Sequence, residues 1–187
     1  MIACEVRMSS RLAIIIIAAS AALAAPKAPD SPGDPKLISV HPFTGQRGAA
    51  FTATVRGNGL RDATAVFVEN APFIATVEAA APDTVGKTGK TPVDVVRLRI
   101  QVDANAKPGR YPFRLLTPRG ISNALPLHVL DLPVALPPDG SHETPDTAVS
   151  VATLPAVFNG LIARRGESDF YAFDATAGQT MTFERLE

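Results

Sequence analysis

The stretch Val96-Arg97-Leu98-Arg99-Ile100-Gln101-Val102 has an apolar residue at every second position and a polar residue between each pair. A β-strand points successive side chains to opposite faces, so this alternation is typical of a strand with one face buried and one in water. The apolar residues therefore predict a row that faces a core. The two arginines and the glutamine predict a row that faces solvent.

The same period of two recurs on both sides of this strand. The further candidate strands are residues 51–56, 65–68, 73–77, 111–115 and 125–130. Turn-forming segments such as Gly57-Asn58-Gly59 and Pro118-Arg119-Gly120 separate them. Several short strands with no helical period between them predict an all-β fold, namely an antiparallel sandwich of the immunoglobulin-like kind.

The composition agrees with this fold class and limits the partners. The 187 residues include 17 prolines and 13 glycines, which favour short elements joined by turns over long helices. The 18 basic and 18 acidic residues give no net charge, so no overall field draws the chain to nucleic acid or to an anionic membrane. We therefore expect neither partner.

Residues 1–24 have the layout of a secretory signal peptide. Arg7 and Arg11 flank the start of an apolar run, and Ala22-Leu23-Ala24 provides a cleavage site. A buried helix or a membrane anchor is the alternative, but the run is short for a span of about 20 residues. The only cysteine, Cys4, precedes that run, so the mature chain has no disulfides. These features predict a secreted or cell-surface protein of a bacterial envelope, with no membrane span after cleavage.

Proline-rich stretches divide the remaining chain. Residues 25–35 are expected to be a disordered leader, residues 36–131 the immunoglobulin-like domain, and residues 132–145 a linker. Beyond the linker, residues 146–187 predict a second, incomplete β-sandwich. Its candidate strands are residues 148–157, 160–163, 168–174 and 180–184.

Four short motifs occur in order within residues 36–131. They are Ser39-Val40-His41-Pro42 with Gly45 and Gly48, Val55-Arg56-Gly57-Asn58-Gly59-Leu60, Lys107-Pro108-Gly109-Arg110-Tyr111 and Gly120-Ile121-Ser122-Asn123. In this respect the segment resembles the immunoglobulin-like IPT/TIG domains. The resemblance implies that the glycines turn the chain after the first two strands, that the tyrosine segment leads into a late strand, and that Ser122-Asn123 precedes the last strand.

A second set of motifs follows the linker. It comprises Glu143-Thr144-Pro145-Asp146-Thr147-Ala148, Asn159-Gly160-Leu161-Ile162, Gly166-Glu167-Ser168-Asp169-Phe170-Tyr171-Ala172-Phe173 and Ala177-Gly178-Gln179-Thr180. This region resembles the beginning of a bacterial pre-peptidase C-terminal (PPC) domain, although that family usually has Gly-Asp where this chain has Gly166-Glu167. Such domains are roughly twice as long, which implies that the strands completing the sandwich lie beyond Glu187 or are missing.

The PPC resemblance also implies a metal site. Relatives in collagenases bind calcium near the start of the domain, and the matching acids here are Glu143, Asp146 and Asp169. Calcium requires several oxygen ligands at one point. The alternative is that these acids are solvated turn residues, and an Asx-type turn explains Asp146 without an ion.

No catalytic residue is predicted in this chain, and no cofactor other than calcium. The segment Gly86-Lys87-Thr88-Gly89-Lys90-Thr91 lacks the upstream glycine and the following helix of a phosphate-binding loop. His41, His128 and His142 lie far apart, and neither H-E-x-x-H nor G-x-S-x-G occurs. His128, on an alternating strand, is expected to face solvent.

The positions of three arginines predict a charged patch on the surface. If the strands pair, Arg97, Arg99 and Arg114 share a face and form a shallow positive patch. Such a patch is either a solvated sheet face that resists edge aggregation, or a surface that binds an acidic glycan or a partner domain.

The sequence thus predicts a non-catalytic exported β-sandwich module for cell-surface adhesion, spacing or domain organisation. Its expected partners are other domains of the same longer protein, or an extracellular protein or glycan. The alternative is the N-terminal accessory region of a larger extracellular peptidase whose catalytic domain is not in this chain.

Overall fold

The computed structural model describes residues 33–70, 72–82, 93–137, 140–162 and 165–186. These residues form β-strands, turns and a single-turn 3₁₀ helix at Pro145–Thr147, so the predicted all-β fold class is confirmed. In chain order the strands are β1 (Lys36–His41), β2 (Thr44–Gln46), β3 (Ala50–Asn58), β4 (Ala65–Val68), β5 (Phe73–Pro82), β6 (Asp94–Val102), β7 (Gly109–Thr117), β8 (Gly120–Ile121), β9 (Leu125–Leu130), β10 (Val134–Ala135), β11 (Val149–Val151), β12 (Val157–Phe158) and β13 (Tyr171–Phe173).

Two sheets make up the main sandwich. The first has the strand order β1-β3-β6-β5 and is antiparallel throughout. The second has the order β2-β9-β7-β4, with β8 paired to β7, and only its short edge strand β2 runs parallel to its neighbour. With β2 taken as a branch of the first strand, this is the A-B-E-D and C-F-G arrangement of immunoglobulin-like domains.

The core lies between these sheets and follows the period of two. Val96, Leu98, Ile100 and Val102 of β6 are all buried, as predicted, while Arg97, Arg99 and Gln101 are exposed. The second sheet contributes its own buried row, which contains Phe113, Leu115, Leu127 and Val129. The chain has no tryptophan, and Phe113 is the largest fully buried side chain of the core.

Tyr111 forms the hydrogen bond known as a tyrosine corner. Its hydroxyl donates to the backbone carbonyl of Lys107 at 2.8 Å, and Tyr111 lies near the start of β7, the F strand of the immunoglobulin arrangement. The tyrosine motif therefore leads into a late strand, as the IPT/TIG resemblance implied. The bond fixes the loop before β7 against the strand itself.

Ser122 and Asn123 form side-chain hydrogen bonds to strand backbones just before β9, and Asn123 connects the two sheets. The amide of Asn123 accepts from the backbone N–H of Leu37 at 2.7 Å and donates to its carbonyl at 3.1 Å. Ser122 is buried, and its hydroxyl accepts from the backbone N–H of Leu115 at 2.9 Å. The Asn123 side chain thus takes the place of a strand partner next to the irregular register of β1, between Leu37 and Ser39, whereas Ser122 serves β7.

The two glycines after Arg56 have different roles. Gly59 has a positive φ of 67° and turns the chain, whereas Gly57 lies within β3, opposite Leu37 and Asp94. The turn after β3 is held by Asp94, whose Oδ2 accepts from the backbone N–H of Leu60 at 2.9 Å. The implied turn is therefore present, with the bend at the second glycine.

In the C-terminal region, the residues that the structure describes form short strand pairs. β10 pairs with β12 and β11 with β13, both in parallel. The predicted long strand at 148–157 is replaced by three-residue β11 and two-residue β12, and the described residues of 160–163 and 180–184 form no strand. β10 lies inside the stretch predicted to be a linker. Described residues from 33 onward belong to one compact unit.

Candidate functional site

The three predicted calcium ligands lie on two neighbouring segments. Glu143 and Asp146 lie at the 3₁₀ helix, and Asp169 precedes β13; the segments meet where the Phe170 N–H donates to the His142 carbonyl at 2.8 Å. Among the described residues, however, no three histidine, cysteine or acidic side chains form a group that could hold a metal ion. Calcium binding by these acids therefore stays a prediction of the family resemblance, to which the structure adds no support.

The turn that contains Asp146 is stabilised by the threonines on either side of it. The backbone N–H of Thr147 donates to the Thr144 carbonyl at 3.1 Å, and the Thr144 N–H donates to the Thr147 hydroxyl at 3.2 Å. Asp146 itself is exposed. Protein hydrogen bonds thus account for the shape of this turn.

The environment of Tyr171, which includes the charge of Asp169, changes the pKa of its hydroxyl. Burial, and next the negative charge of Asp169, raise the pKa of the Tyr171 hydroxyl above its usual value. The Tyr171 ring lies 4.8 Å from the ring of Phe158, measured between centroids, which brings β12 against β13. These contacts are consistent with a packed tyrosine in the C-terminal region.

The predicted arginine patch is corrected by the sheet arrangement. Arg97 and Arg99 are on β6 in the first sheet, whereas Arg114 is on β7 in the second. Arg114 donates from Nη1 to the Ser122 carbonyl at 2.7 Å. The three arginines therefore do not share a face, because strands adjacent in sequence here belong to opposite layers of the sandwich.

Arg97 and Arg99 instead lie at the centre of the outer face of the first sheet. The register places Arg97 between Thr54 of β3 and Ala79 of β5. Arg99 lies between Thr52 of β3 and Thr76 of β5. We call this surface, formed by Thr52, Thr54, Thr76, Arg97 and Arg99, the arginine–threonine face.

A cleft of about 310 Å³ opens at one end of the main sandwich. Its lining includes Arg61, Asp62, Asp94 and Arg119. Asp94 is nearly buried, and its Oδ1 lies 3.5 Å from the Nε of Arg61. Two arginines balance two aspartates here, and the Asp94 carboxylate already holds the turn after β3. The cleft is therefore accounted for by the local fold.

A buried polar contact joins the C-terminal region to the main sandwich. Asn159 is only 1% exposed, and its Oδ1 accepts from the hydroxyl of Thr44 at 2.9 Å and from the Thr44 backbone N–H at 3.3 Å. Thr44 is itself buried in edge strand β2. No local pattern in the sequence predicts this contact, and Asn159 stood out there only as part of a short PPC-like motif.

The prediction that His128 faces solvent is wrong. His128 is buried on β9, opposite Thr44 of β2, and its ring packs edge-on against Phe43 with 5.7 Å between centroids. The alternating pattern of β9 places His128 on the outer face of the sheet. The Phe43 ring, just before β2, packs against His128 on that face.

The histidines that were considered for catalysis lie on separate elements. His41 ends β1, His128 lies in β9 and His142 precedes the 3₁₀ helix. The glycine-lysine-threonine segment at 86–91 lies outside the described residues, as do the predicted signal peptide at 1–24 and residues 25–32 of the predicted leader.

Burial lowers the pKa of His41 below its ordinary value near 6.5. The unfolded chain therefore binds a proton more readily than the folded chain, so stability decreases as pH falls through 6.5 towards the folded pKa. We expect the melting temperature to fall less between pH 7.5 and pH 5.5 in His41→Gln than in the parent. Thermal scans followed by circular dichroism measure this, and an equal fall in both proteins contradicts it.

Within the described parts of the chain, no helix combines the length and the apolar character needed to cross a membrane.

Comparisons with known proteins include a weak structural similarity. No family model matches the chain, and no curated protein matches it. Among solved structures, the chain is similar to one described as "Bacteroides ovatus mixed-linkage glucan utilization locus (MLGUL) SGBP-B in complex with mixed-linkage heptasaccharide", at 15% identity and a TM-score of 0.37. The similarity covers 63% of this chain and 26% of that one. At this TM-score it supports no conclusion about fold or function.

Proposed function

We propose that this chain is a non-catalytic module of an exported protein, and that it spaces and orients neighbouring domains. The observation that carries the proposal is the buried contact between Asn159 and Thr44. A flexible linker would let the C-terminal region move independently of the sandwich. A buried side chain that satisfies a strand backbone instead fixes that region at the edge of the sheet.

Strand pairing adjacent to this contact supports the same role. The Val157 N–H donates to the Pro133 carbonyl at 2.8 Å, and the Asn159 N–H donates to the Ala135 carbonyl at 3.0 Å. These bonds join residues on both sides of the 3₁₀ helix, so the chain after β9 is folded back rather than extended. Such an arrangement suits a spacer that transmits a defined orientation.

The remaining features of the proposal come from the sequence. Residues 36–131 serve as an IPT/TIG-like domain, and residues 146–187 as the first part of a PPC-like domain. The basic and apolar layout of residues 1–24 favours a secreted or cell-surface location. The partners are then adjoining domains of the same protein or an extracellular protein or glycan.

Asn159→Ala tests the proposed coupling. The substitution removes the acceptor for two Thr44 donors, one of them a backbone N–H, at a cost of about 1–3 kcal/mol for the buried group left unpaired. We expect amide hydrogen exchange within residues 133–159 to accelerate about 5- to 150-fold, because local opening becomes easier by that amount. Amides of β6 should keep their protection.

Asn105→Ala is the matched control, because Asn105 is an exposed asparagine in a turn of the main sandwich. It should leave exchange in residues 133–159 unchanged. Unchanged exchange in Asn159→Ala would contradict the coupling. Separately, turnover of casein or an ester substrate that a single substitution in residues 36–187 abolishes would contradict the non-catalytic role.

A further inference from the structure

The arginine–threonine face is a regular array of polar groups. Arg97 and Arg99 are two residues apart on one strand, so their Cα atoms lie about 6.8 Å apart and their side chains leave the same side of the sheet. Their neighbours across the strands are the small residues Thr52, Thr54, Thr76 and Ala79. Both guanidinium groups are therefore unobstructed by larger side chains on β3 and β5.

No acid occupies a position paired directly with either arginine across the sheet. The paired positions on β3 and β5 contain only threonine and alanine, and among the described residues neither Arg97 nor Arg99 forms an ion pair. The nearest acid in the neighbouring strands is Glu78, an exposed residue at the β5 bulge between Val77 and Ala79. The face thus concentrates positive charge on a chain whose net charge is zero.

Protection of a sheet edge does not explain these arginines. Charged residues guard against aggregation when they lie on an edge strand, where backbone groups are unpaired. β6 is an interior strand with β3 on one side and β5 on the other, and both pairings extend over most of its length. Its backbone groups already have partners, so edge protection does not account for the positive charge at its centre.

The composition of the face indicates the chemistry of that ligand. Protein interfaces usually have an apolar and aromatic core, and membrane-binding surfaces insert apolar side chains. The arginine–threonine face has no aromatic residue, and the exposed apolar residue beside it is Ile74, two positions before Thr76 on β5. Guanidinium groups donate paired hydrogen bonds to carboxylates and sulfates, and threonine hydroxyls both donate and accept, as sugar hydroxyls do.

We infer that the arginine–threonine face binds an acidic polysaccharide that lies along β6. Arg97 and Arg99 each bind an acidic group of the polymer, and the flanking threonines form hydrogen bonds with its hydroxyls. The flat sheet provides a shallow surface for an extended chain rather than an enclosing pocket. This activity goes beyond the proposed spacing role and does not depend on it.

Binding to polygalacturonate and to dextran sulfate tests the inference, with neutral dextran as the uncharged polymer. Titration calorimetry at low salt should detect binding to at least one acidic polymer and none to neutral dextran. Arg97→Gln/Arg99→Gln should weaken this binding about tenfold, the effect of two exposed charge pairs. Both arginines are exposed, so the variant should keep its fold, and circular dichroism checks this.

Lys107→Gln/Arg110→Gln is the matched control, because it also removes two exposed positive charges but from the loop before β7 and the start of that strand. Its affinity should stay within about twofold of the parent, because charges away from the face contribute little. In the parent, oligogalacturonate should shift the amide resonances of Thr52, Thr54 and Thr76. A response to only one acidic polymer would identify carboxylate or sulfate as the preferred group.

Three results would overturn the inference. They are no binding to either acidic polymer, equal weakening in the two double variants, and binding to phosphatidylglycerol vesicles or duplex DNA as strong as binding to the polysaccharides. The last result would show a general attraction to polyanions.

Discussion

Phe113→Ala should lower the free energy of unfolding by about 3–5 kcal/mol, because it removes the largest side chain of the sandwich core and leaves a cavity. Phe113 is 2% exposed and lies on β7, opposite Val68 of β4 and Leu125 of β9. Neighbours on both sides are held by strand pairing, so they cannot collapse into the space. Urea denaturation followed by far-UV circular dichroism measures the loss.

Phe67→Ala is the control for this substitution. Phe67 lies on the neighbouring strand β4, pairs with Arg114 and is 54% exposed on the outer face of the second sheet. Its removal should cost about 1 kcal/mol or less, because little apolar area returns to water. Similar losses in the two variants would mean that the core does not lie between the sheets as described.

Gly57→Ala should destabilise the fold by about 3 kcal/mol through overpacking against the backbone. A Cβ at Gly57 would collide with the Lys36 carbonyl oxygen and would lie 2.6 Å from Cδ1 of Leu60. β3 pairs with β1 on this side, so relief requires the two strands to separate at Leu37. The same urea denaturation experiment applies, and amide exchange in β1 should accelerate.

Gly109→Ala separates this steric effect from the general effect of glycine replacement. Gly109 also lies in a strand, but a Cβ there meets only the Tyr111 side chain, at 3.6 Å or more. Its stability should change by no more than about 0.5 kcal/mol. If Gly57→Ala lowers the stability as little as Gly109→Ala does, β1 and β3 do not approach each other as closely as described.

Alternation in the sequence predicted the individual strands of the sandwich well. β4 and β9 have the predicted limits, and the buried row of β6 is the predicted one. This works because the side-chain period of a strand is a local property that burial of one face imposes. The strand order also agrees with the predicted immunoglobulin-like arrangement.

Local sequence patterns could not predict which strands belong to which sheet. β6 and β7 follow each other in the chain, yet they lie in opposite layers, which separates Arg114 from Arg97 and Arg99. Burial of His128 and Asn159 likewise depends on segments far away in sequence, the latter contact spanning 115 residues. A single sequence contains no local signal for such pairings.

The predicted strand limits in the C-terminal region were wrong for a related reason. Alternation over 148–157 predicted a long strand, but a strand extends only as far as its partner does. β11 finds three paired residues in β13, and Pro155 interrupts the segment before β12. The residues capable of a strand are thus more numerous than the residues that pair.

The parallel direction of three strand pairs has a mechanical consequence. β2 with β9, β10 with β12, and β11 with β13 each run side by side in the same direction. When residues 33 and 186 are pulled apart, the earlier strand of each pair is drawn toward residue 33 and the later strand toward residue 186. The hydrogen bonds between them, which cross between the strands, are then sheared together instead of opening one after another. Tension along the chain therefore loads each of these pairs in shear.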